Sequence, residues 1–157
     1  MEYAVIFLPL IGSFVGYISK YFNDLLSQLI TTFFVCLTAI ISIILFYNGI
    51  FYGNYGDHLI YQWISSGNFV VNWSVNIDPL SSIMLVVVTV VSALVHIYSI
   101  GYMEQDPHKP RFMSYLSLFT FAMIVLVVSN NFLQLYFGWE GVGLCSYLLI
   151  GFWYKKD

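Results

Sequence analysis

Long apolar stretches separated by short polar segments make up most of this 157-residue chain. At about 1.5 Å of rise per residue, a helix of about 20 residues crosses the roughly 30 Å hydrocarbon core of a bilayer. The pattern therefore predicts an all-α integral membrane protein with about five transmembrane helices, forming one membrane domain over residues 1–157. The predicted helices are residues 3–19, 25–47, 79–103, 112–129 and 132–154.

The segment 50–78 breaks the helical pattern between the second and third helices. Apolar and polar residues alternate over 71–78, and a period of two indicates a β-strand. Residues 59–64 form a second candidate strand, and the residues between the two strands have turn composition. We expect a small β-hairpin on one membrane surface. Asp78 followed by Pro79 then predicts the start of the third helix, and Asn48-Gly49 predicts the end of the second.

Composition and charge support a membrane protein and predict its orientation. Only 8% of the residues are charged and 60% are hydrophobic, whereas a soluble domain carries about a quarter charged residues. With a net charge of -3, nucleic acid is not an expected partner. With five crossings all basic residues fall on one side, which the positive-inside rule assigns to the C-terminal, inner side. These residues are Lys20, Lys109, Arg111, Lys155 and Lys156.

Glu140 is the first candidate functional residue, because it is the only Asp, Glu, Lys or Arg in residues 112–154. It lies roughly 12 Å into the fifth predicted helix, inside the hydrocarbon. A carboxylate there is costly unless it is neutralised, paired or hydrated, and proteins keep such groups mainly for ion or proton pathways. Tyr136, Gly143 and Tyr147 share its helix face. We expect a proton relay, with a helix-stapling hydrogen bond as the alternative.

His96, in the third predicted helix near Ser92 and Ser99, is the second candidate. Histidine titrates near neutral pH and can relay protons, but a polar side chain satisfied by a neighbouring serine or helix is an equal alternative. Asp78 is interpreted as a helix cap, and the polar residues of segment 104–111 as a solvated loop. The two cysteines, Cys36 and Cys145, have no metal-ligand spacing and are expected to be reduced.

No nucleotide-binding loop, nucleophile elbow or metal cluster is visible in the sequence. We therefore expect no redox or hydrolytic chemistry in this chain alone, no bound cofactor and no metal. The chemistry that the residues favour is the movement of a small cation.

Several sequence runs resemble one known family. They are HIYSIGYM at 96–103, YLSLFT at 115–120 and GWEGVGLCSYLLI at 138–150. They look like subunit 5 of respiratory complex I, NADH:ubiquinone oxidoreductase, in its mitochondrial form. The bacterial equivalent and the large subunit of Mrp-type antiporters are similar but more distant. Subunit 4 of the complex also has a fifth-helix glutamate but lacks the GWEGVGL run. Residues 1–95 match more loosely.

The resemblance implies that Glu140 matches the family's essential fifth-helix glutamate, which works with an intramembrane lysine on a seventh helix. It also implies membership of a proton-pumping enzyme in the mitochondrial inner membrane, with the N-terminus on the intermembrane-space side and the C-terminus on the matrix side. NADH, flavin, iron–sulfur clusters and ubiquinone would be bound elsewhere in that complex. The implied partners are subunit 4, other membrane subunits and lipids.

The chain contains neither the seventh helix nor its lysine, because it resembles only the N-terminal part of family members. We expect a split subunit, with a second chain carrying the remaining helices. A truncated product and a chain cut for study are the alternatives. For function, the alternatives are a subunit of an Mrp-type cation/proton antiporter and a structural membrane subunit whose Glu140 is vestigial.

Overall fold

A computed structural model of the protein describes residues 1–19, 21, 23–53 and 55–154. Within these residues five helices and one two-stranded antiparallel sheet follow each other along the chain. In chain order they are α1 (Glu2–Ser19), α2 (Asp24–Tyr52), β1 (Gly56–Ser66), β2 (Phe69–Ile77), α3 (Pro79–Tyr102), α4 (Lys109–Val127) and α5 (Phe132–Ile150). The predicted all-α membrane fold with a hairpin between the second and third helices is confirmed.

Four helices, α1 to α4, are long and apolar enough to cross a membrane. Helix α5 has 19 residues but is not among them, because Gln134, Glu140 and three glycines lower its apolar character. The fifth helix is thus present where the sequence predicts it, while its crossing of the membrane stays a prediction.

Helix α4 lies at the centre of the bundle. It packs against α1, α2, α3 and α5, whereas α5 packs substantially only against α4. The interhelical contacts include many buried hydroxyls, such as Ser117, whose Oγ donates to the Pro9 carbonyl at 2.7 Å, and Ser13, which donates to the Ser114 carbonyl at 2.8 Å. Small hydroxyl residues allow helices to approach closely in a bilayer, where lipid is as apolar as leucine.

The hairpin packs on the bundle through one face. Val75 and Ile77 of β2 are buried with Val5, Leu85 and Val128 in one apolar core. The two strands are longer than predicted on both sides of the turn, and Gly67 adopts φ 58° in that turn, a conformation that glycine tolerates. We call the end of the bundle that carries the hairpin the hairpin end.

The opposite end of the bundle carries the loop between α3 and α4. There the Trp153 indole N–H donates to the Asp106 carboxylate at 2.7 Å, and the Arg111 guanidinium lies 4.8 Å from the centre of the Phe152 ring. We call it the basic end, because Lys109 and Arg111 lie there and residues 56–79 of the hairpin end contain no lysine or arginine. The predicted basic residues Lys20, Lys155 and Lys156 lie outside the described residues.

The end of α2 and the start of α4 differ from the predictions. Helix α2 continues to Tyr52 and ends at Gly53, which has φ 65° and donates its N–H to the Gly49 carbonyl, so Asn48-Gly49 is not the cap. Gly49 instead gives room to the Tyr55 ring, which a Cβ on Gly49 would meet at 2.6 Å. Helix α4 begins at Lys109, within the predicted loop, because Pro110 fits the first turn of a helix.

Other boundaries agree closely or shift by a turn. Asp78 is the N-cap of α3: its carboxylate accepts from the Ser81 N–H at 2.6 Å, and the Ser81 hydroxyl accepts from the Asp78 N–H at 2.8 Å. This reciprocal capping box satisfies two backbone donors that the helix cannot pair itself. Helix α5 ends at Ile150, and residues 151–154 form turns rather than the predicted last turn of helix.

Candidate functional site

Glu140 lies on the outer face of α5, at its middle. The face of α5 that packs on α4 is formed by Gln134, Gly138 and Cys145, which are its three buried residues. Glu140 is offset from this face and is exposed. Its carboxylate therefore points away from the bundle formed by α1 to α4.

Tyr136, one turn earlier on the same helix, brings its phenol close enough to interact with Glu140. The Tyr136 side chain is 61% exposed. A phenol donates one hydrogen bond but carries no positive charge, so it does not neutralise a carboxylate. Among the described residues, no lysine or arginine forms an ion pair with Glu140.

The rest of this outer face is apolar or aromatic. We define the Glu140 face as the exposed side of α5 around Glu140, and it includes three tyrosine or tryptophan side chains. Its large exposed members are Tyr136, Trp139, Leu144, Tyr147 and Ile150. Tyr147, at 74% exposure, belongs to it as the sequence predicts, and so does Gly143. The face thus combines one carboxylate, two phenols and a surrounding apolar surface.

Three glycines around Glu140 have different surroundings. A Cβ on Gly138 would lie 2.7 Å from the Leu126 nitrogen and 2.8 Å from its Cα, so the α4 and α5 backbones cross here at close range. A Cβ on Gly141 would meet only the Ala122 methyl, at 3.2 Å, and Gly143 faces open space. The predicted close approach of another backbone is therefore made at Gly138, on the side of α5 opposite to the open surface.

His96, the second candidate, is fully buried inside the bundle. Its Nδ1 lies 2.8 Å from the Ser92 carbonyl oxygen, so Nδ1 carries the proton and donates to that carbonyl. Its Nε2 is buried without a hydrogen-bond partner in the part of the chain that the structure describes. The predicted neighbour Ser92 is confirmed, whereas the Ser99 hydroxyl donates to the Val95 carbonyl instead.

A row of paired hydroxyls leads through the bundle beside His96. Ser42 of α2 and Thr89 of α3 lie 2.6 Å apart, and Ser92 of α3 hydrogen-bonds Thr120 of α4. These contacts join α2, α3 and α4 at successive turns of α3. Together with the Nε2 of His96, which has no hydrogen-bond partner among the described residues, they place a row of polar groups in the interior of the bundle.

The structure does not bring Glu140 and His96 together. Glu140 contacts Tyr136 on the outside of α5, whereas His96 contacts Ser92 inside the bundle, with α4 packed between α3 and α5. Any proton transfer between them needs further groups or water.

The segment predicted as a solvated loop is more ordered than expected. Asp106 accepts from the His108 backbone N–H at 2.8 Å and from the Trp153 indole. Arg111 lies within α4 and is partly buried against Phe152, and its guanidinium also donates to the Phe152 carbonyl at 3.4 Å. Glu104 and His108 are exposed, as predicted.

Gln134 is a buried polar residue that the sequence analysis does not single out. Its side chain is fully buried and makes two hydrogen bonds to the backbone of Ser74 in β2. The sequence feature that could have identified it is a glutamine within an apolar helix, six residues before Glu140. No cluster of three or more His, Cys, Asp or Glu that could hold a metal is found among the described residues.

Two family models match the chain. The model described as NADH-Ubiquinone oxidoreductase (complex I), chain 5 N-terminus matches residues 63–113, which contain β2, α3 and His96. The model described as NADH:quinone oxidoreductase/Mrp antiporter, TM matches residues 129–157, which contain α5 and Glu140. Both candidate residues therefore lie in segments that are similar to this class of membrane subunit.

Individual relatives are similar over nearly the whole chain. NADH-quinone oxidoreductase subunit L of Rickettsia felis is 53% identical over 98% of the chain. NADH-ubiquinone oxidoreductase chain 5 is 52% identical over 97% of the chain in Phytophthora infestans and 49% identical over 99% in Arabidopsis thaliana. The chain spans about a quarter of the length of these relatives, between 23% and 24%.

Proposed function

Since this chain belongs to the family of NADH–quinone oxidoreductase chain 5 and subunit L, we propose that it is part of the antiporter-like, proton-translocating unit of such an enzyme. In this proposal the complex oxidises NADH with a quinone, and the energy released drives protons across the membrane. The chain itself performs no redox chemistry and holds no cofactor. Its contribution is a site that takes up and passes on charge inside the membrane.

Glu140 is the residue to which we assign this role. The observation that carries the assignment is its position: an exposed carboxylate in the middle of α5, beside the Tyr136 phenol and without a cation among the described residues. In a bilayer such a group is stable when it is protonated or when a positive charge lies beside it. A site that changes between these two states loads and releases a proton.

The positive charge is proposed to come from outside this chain. The Glu140 face is the open side of α5, and the chain spans about a quarter of its relatives, so the helices that follow in longer members have room there. The helices that follow residue 157 in longer members, with an intramembrane lysine among them, are the proposed partner of this face. Subunit 4, other membrane subunits and lipids complete the proposed surroundings.

Native electrophoresis of the source membranes in mild detergent, with mass spectrometry of the band that contains this chain, tests the partnership. We expect a large band that oxidises NADH and includes a polypeptide with the missing helices. A small band, or a large one without such a polypeptide, would contradict it.

His96 is proposed to help protons reach the membrane interior. Its free Nε2 and the neighbouring Ser92–Thr120 hydrogen bond support this role, because proton relays need adjacent groups that accept and donate. The proposed path enters through the bundle and continues to Glu140 through water or groups of the partner.

The proposed location is the mitochondrial inner membrane. The basic end, with Lys109 and Arg111, then faces the matrix, and the hairpin end with the N-terminus faces the intermembrane space. The asymmetric distribution of basic residues supports this orientation through the positive-inside rule.

Replacement of Glu140 tests the proposed function. The variant Glu140→Gln keeps the size and polarity of the side chain but removes the exchangeable charge. In sealed vesicles containing the assembled complex, we expect electron transfer from NADH to quinone without net proton translocation, measured as the pH gradient formed. The matched control is Glu104→Gln, which removes an exposed loop carboxylate at the basic end and is expected to pump normally.

Either of two results contradicts the proposal. If Glu140→Gln pumps as well as the unmodified protein, Glu140 is vestigial and the chain has a structural role. If both variants lose pumping equally, the loss is not specific to the intramembrane carboxylate.

A cation/proton antiporter subunit is the second candidate function. The match of residues 129–157 to a family model that includes Mrp antiporters favours it. The same vesicles distinguish the two: sodium-dependent proton exchange that needs neither NADH nor quinone would favour the antiporter.

A further inference from the structure

Strand β2 has an outer edge that is completed by the junction of α4 and α5. In an antiparallel pair the backbone groups of alternate residues point to the same edge. On the edge away from β1, the Asn76 N–H donates to the Val128 carbonyl at 2.9 Å, and the Asn72 carbonyl accepts from the Asn131 side chain at 2.7 Å. Free strand edges are costly inside a folded protein, so these contacts satisfy groups that β1 cannot reach.

Gln134 occupies the centre of this edge and acts as a substitute strand. Its Oε1 accepts from the Ser74 N–H at 3.2 Å, and its Nε2 donates to the Ser74 carbonyl at 2.8 Å. One amide side chain thereby pairs both backbone groups of one residue, as a neighbouring strand would. The side chain is fully buried, so loss of the pair would leave two buried backbone groups without a partner.

These contacts fix the beginning of α5. Asn131, the N-cap, accepts from the Gln134 N–H at 2.8 Å while its own amide donates to β2. The only other extensive packing of α5 in the described structure is its contact with α4. That contact includes the crossing at Gly138, which holds the two backbones close. The rotation and height of α5 are therefore set by the strand at one end and by α4 at the side.

The position of Glu140 follows from that of Gln134. Six residues separate them, which in an α-helix is about 9 Å along the axis and about 120° around it. With Gln134 directed into the hairpin, Glu140 must lie on the outer face. A change in the rotation of α5 of one residue, about 100°, would turn Glu140 toward α4 or another side.

We propose that Gln134 is a positioning residue for Glu140: by pairing with the backbone of Ser74 it locks the rotation of α5 and holds the carboxylate on the open face where its charge partner binds. The inference rests on the proposed function of Glu140 and extends it to the hairpin. The hairpin is then part of the support of the proton site and not only a surface loop.

The test uses Gln134→Met in the assembled complex, with Gln28→Met as the matched control. Methionine has a similar length and no donor or acceptor of this kind, so it removes both bonds to Ser74. Gln28 is also almost fully buried, but its Nε2 has no hydrogen-bond partner among the described residues. Both variants remove one buried amide, and only Gln134→Met breaks hydrogen bonds between α5 and β2.

Two measurements are made on each variant: protons translocated per electron pair, and the infrared carboxyl band that Glu140→Gln removes. For Gln134→Met we expect retained electron transfer, a fall of about tenfold in translocation and a shifted Glu140 band, because a misplacement of about 1 Å costs up to about a hundredfold. For Gln28→Met we expect the coupling and the band of the unmodified complex. The band reports the surroundings of Glu140, which a general loss of stability would not shift.

A milder variant is available if Gln134→Met does not assemble. Gln134→Asn keeps the amide but shortens the side chain by one methylene, so α5 or the strand must move for the bonds to form. We expect a smaller fall in translocation with a shifted band. An unmodified band and normal coupling in either Gln134 variant would overturn the proposal, as would an equal loss in Gln28→Met.

Failure of this inference differs from failure of the proposed function. If Glu140→Gln pumps normally, Glu140 has no role in pumping, whatever Gln134 does. If Glu140→Gln stops pumping while the Gln134 variants pump normally, Glu140 keeps its role and only its positioning by the hairpin is wrong.

Discussion

The interior of the bundle and the outer face of α5 both contain polar groups, but they satisfy them in different ways. In the interior, His96 donates to a carbonyl of its own helix, and the Ser42–Thr89 and Ser92–Thr120 pairs join neighbouring helices. On the outer face, Glu140 has one phenol as a partner and no cation in the described part of the chain. Most polar groups inside the bundle of α1 to α4 have hydrogen-bond partners, whereas the Glu140 carboxylate has no partner of opposite charge among the described residues.

This difference separates polar groups that stabilise the fold from an ionisable group whose charge state, in the proposed function, depends on a partner. A hydroxyl bonded to a carbonyl of its own helix is neutral and satisfied in any protonation state of its neighbours. A carboxylate in a membrane is sensitive to its surroundings, because its charged form needs a partner. His96 stands between the two classes, since one of its nitrogens is satisfied and the other is not.

Replacement of His96 gives the largest expected effect and tests to which class it belongs. Leucine has a similar volume and removes the buried Nε2, so His96→Leu is expected to leave the thermal stability of the complex nearly unchanged. If His96 relays protons, pumping falls by about a hundredfold, the lower end of what a positioned proton-transfer group contributes. Normal pumping with unchanged stability would place His96 among the structural groups. Pumping and melting temperature are measured on the same preparation.

Replacement of Gly138 tests whether α5 depends on its close contact with α4. A Cβ at this position would lie 2.7 Å from the Leu126 nitrogen, so Gly138→Ala must separate the backbones. Overpacking of this kind costs about 1–3 kcal/mol, which we expect as a lower melting temperature of the assembled complex. The control is Gly101→Ala, near the end of α3, where an added Cβ would meet no atom within 4 Å among the described residues. An equal effect of the two variants would show that the crossing at Gly138 is not limiting.

Loss of one interhelical hydroxyl pair gives the smallest expected effect. Thr89→Val keeps the shape of the side chain but removes its bond to Ser42, and such bonds contribute about 0.6 kcal/mol on average within membranes. The control is Thr38→Val, because among the described residues the Thr38 hydroxyl bonds only to the Phe34 carbonyl of its own helix. We expect Thr89→Val to lower the melting temperature of the assembled complex slightly more than Thr38→Val does. The reverse order would mean that the pair does not link α2 and α3.

The sequence predicts the elements well where the signal is local. Asp78 and Pro79 mark the start of α3, and the alternation over 71–78 marks β2, because caps and strand periods depend on neighbouring residues. The predicted end of α2 is wrong because Gly49 does not end the helix. It leaves space for the Tyr55 ring, a contact that no local sequence pattern indicates. The predicted start of α4 is late because Pro110 is typical of a loop but also fits the first turn of a helix.

The same distinction holds for the candidate site. Glu140 is visible in the sequence because a single carboxylate in an apolar run is unusual. Its outward direction is not visible, because it follows from the Gln134–Ser74 bonds and the Gly138 crossing, which join residues far apart in the chain. The sequence thus identifies which group bears charge, and the tertiary structure decides which way it faces.

Photo-cross-linking from the Glu140 face tests most directly whether Glu140 has a charge partner. A photoreactive phenylalanine analogue replaces Tyr147, which is 74% exposed on this face, in the assembled complex, and the products are identified by mass spectrometry. We expect a cross-link to a transmembrane segment that contains a lysine and lies outside residues 1–157. Cross-links to lipid alone would contradict it, because Glu140 would then have no charge partner.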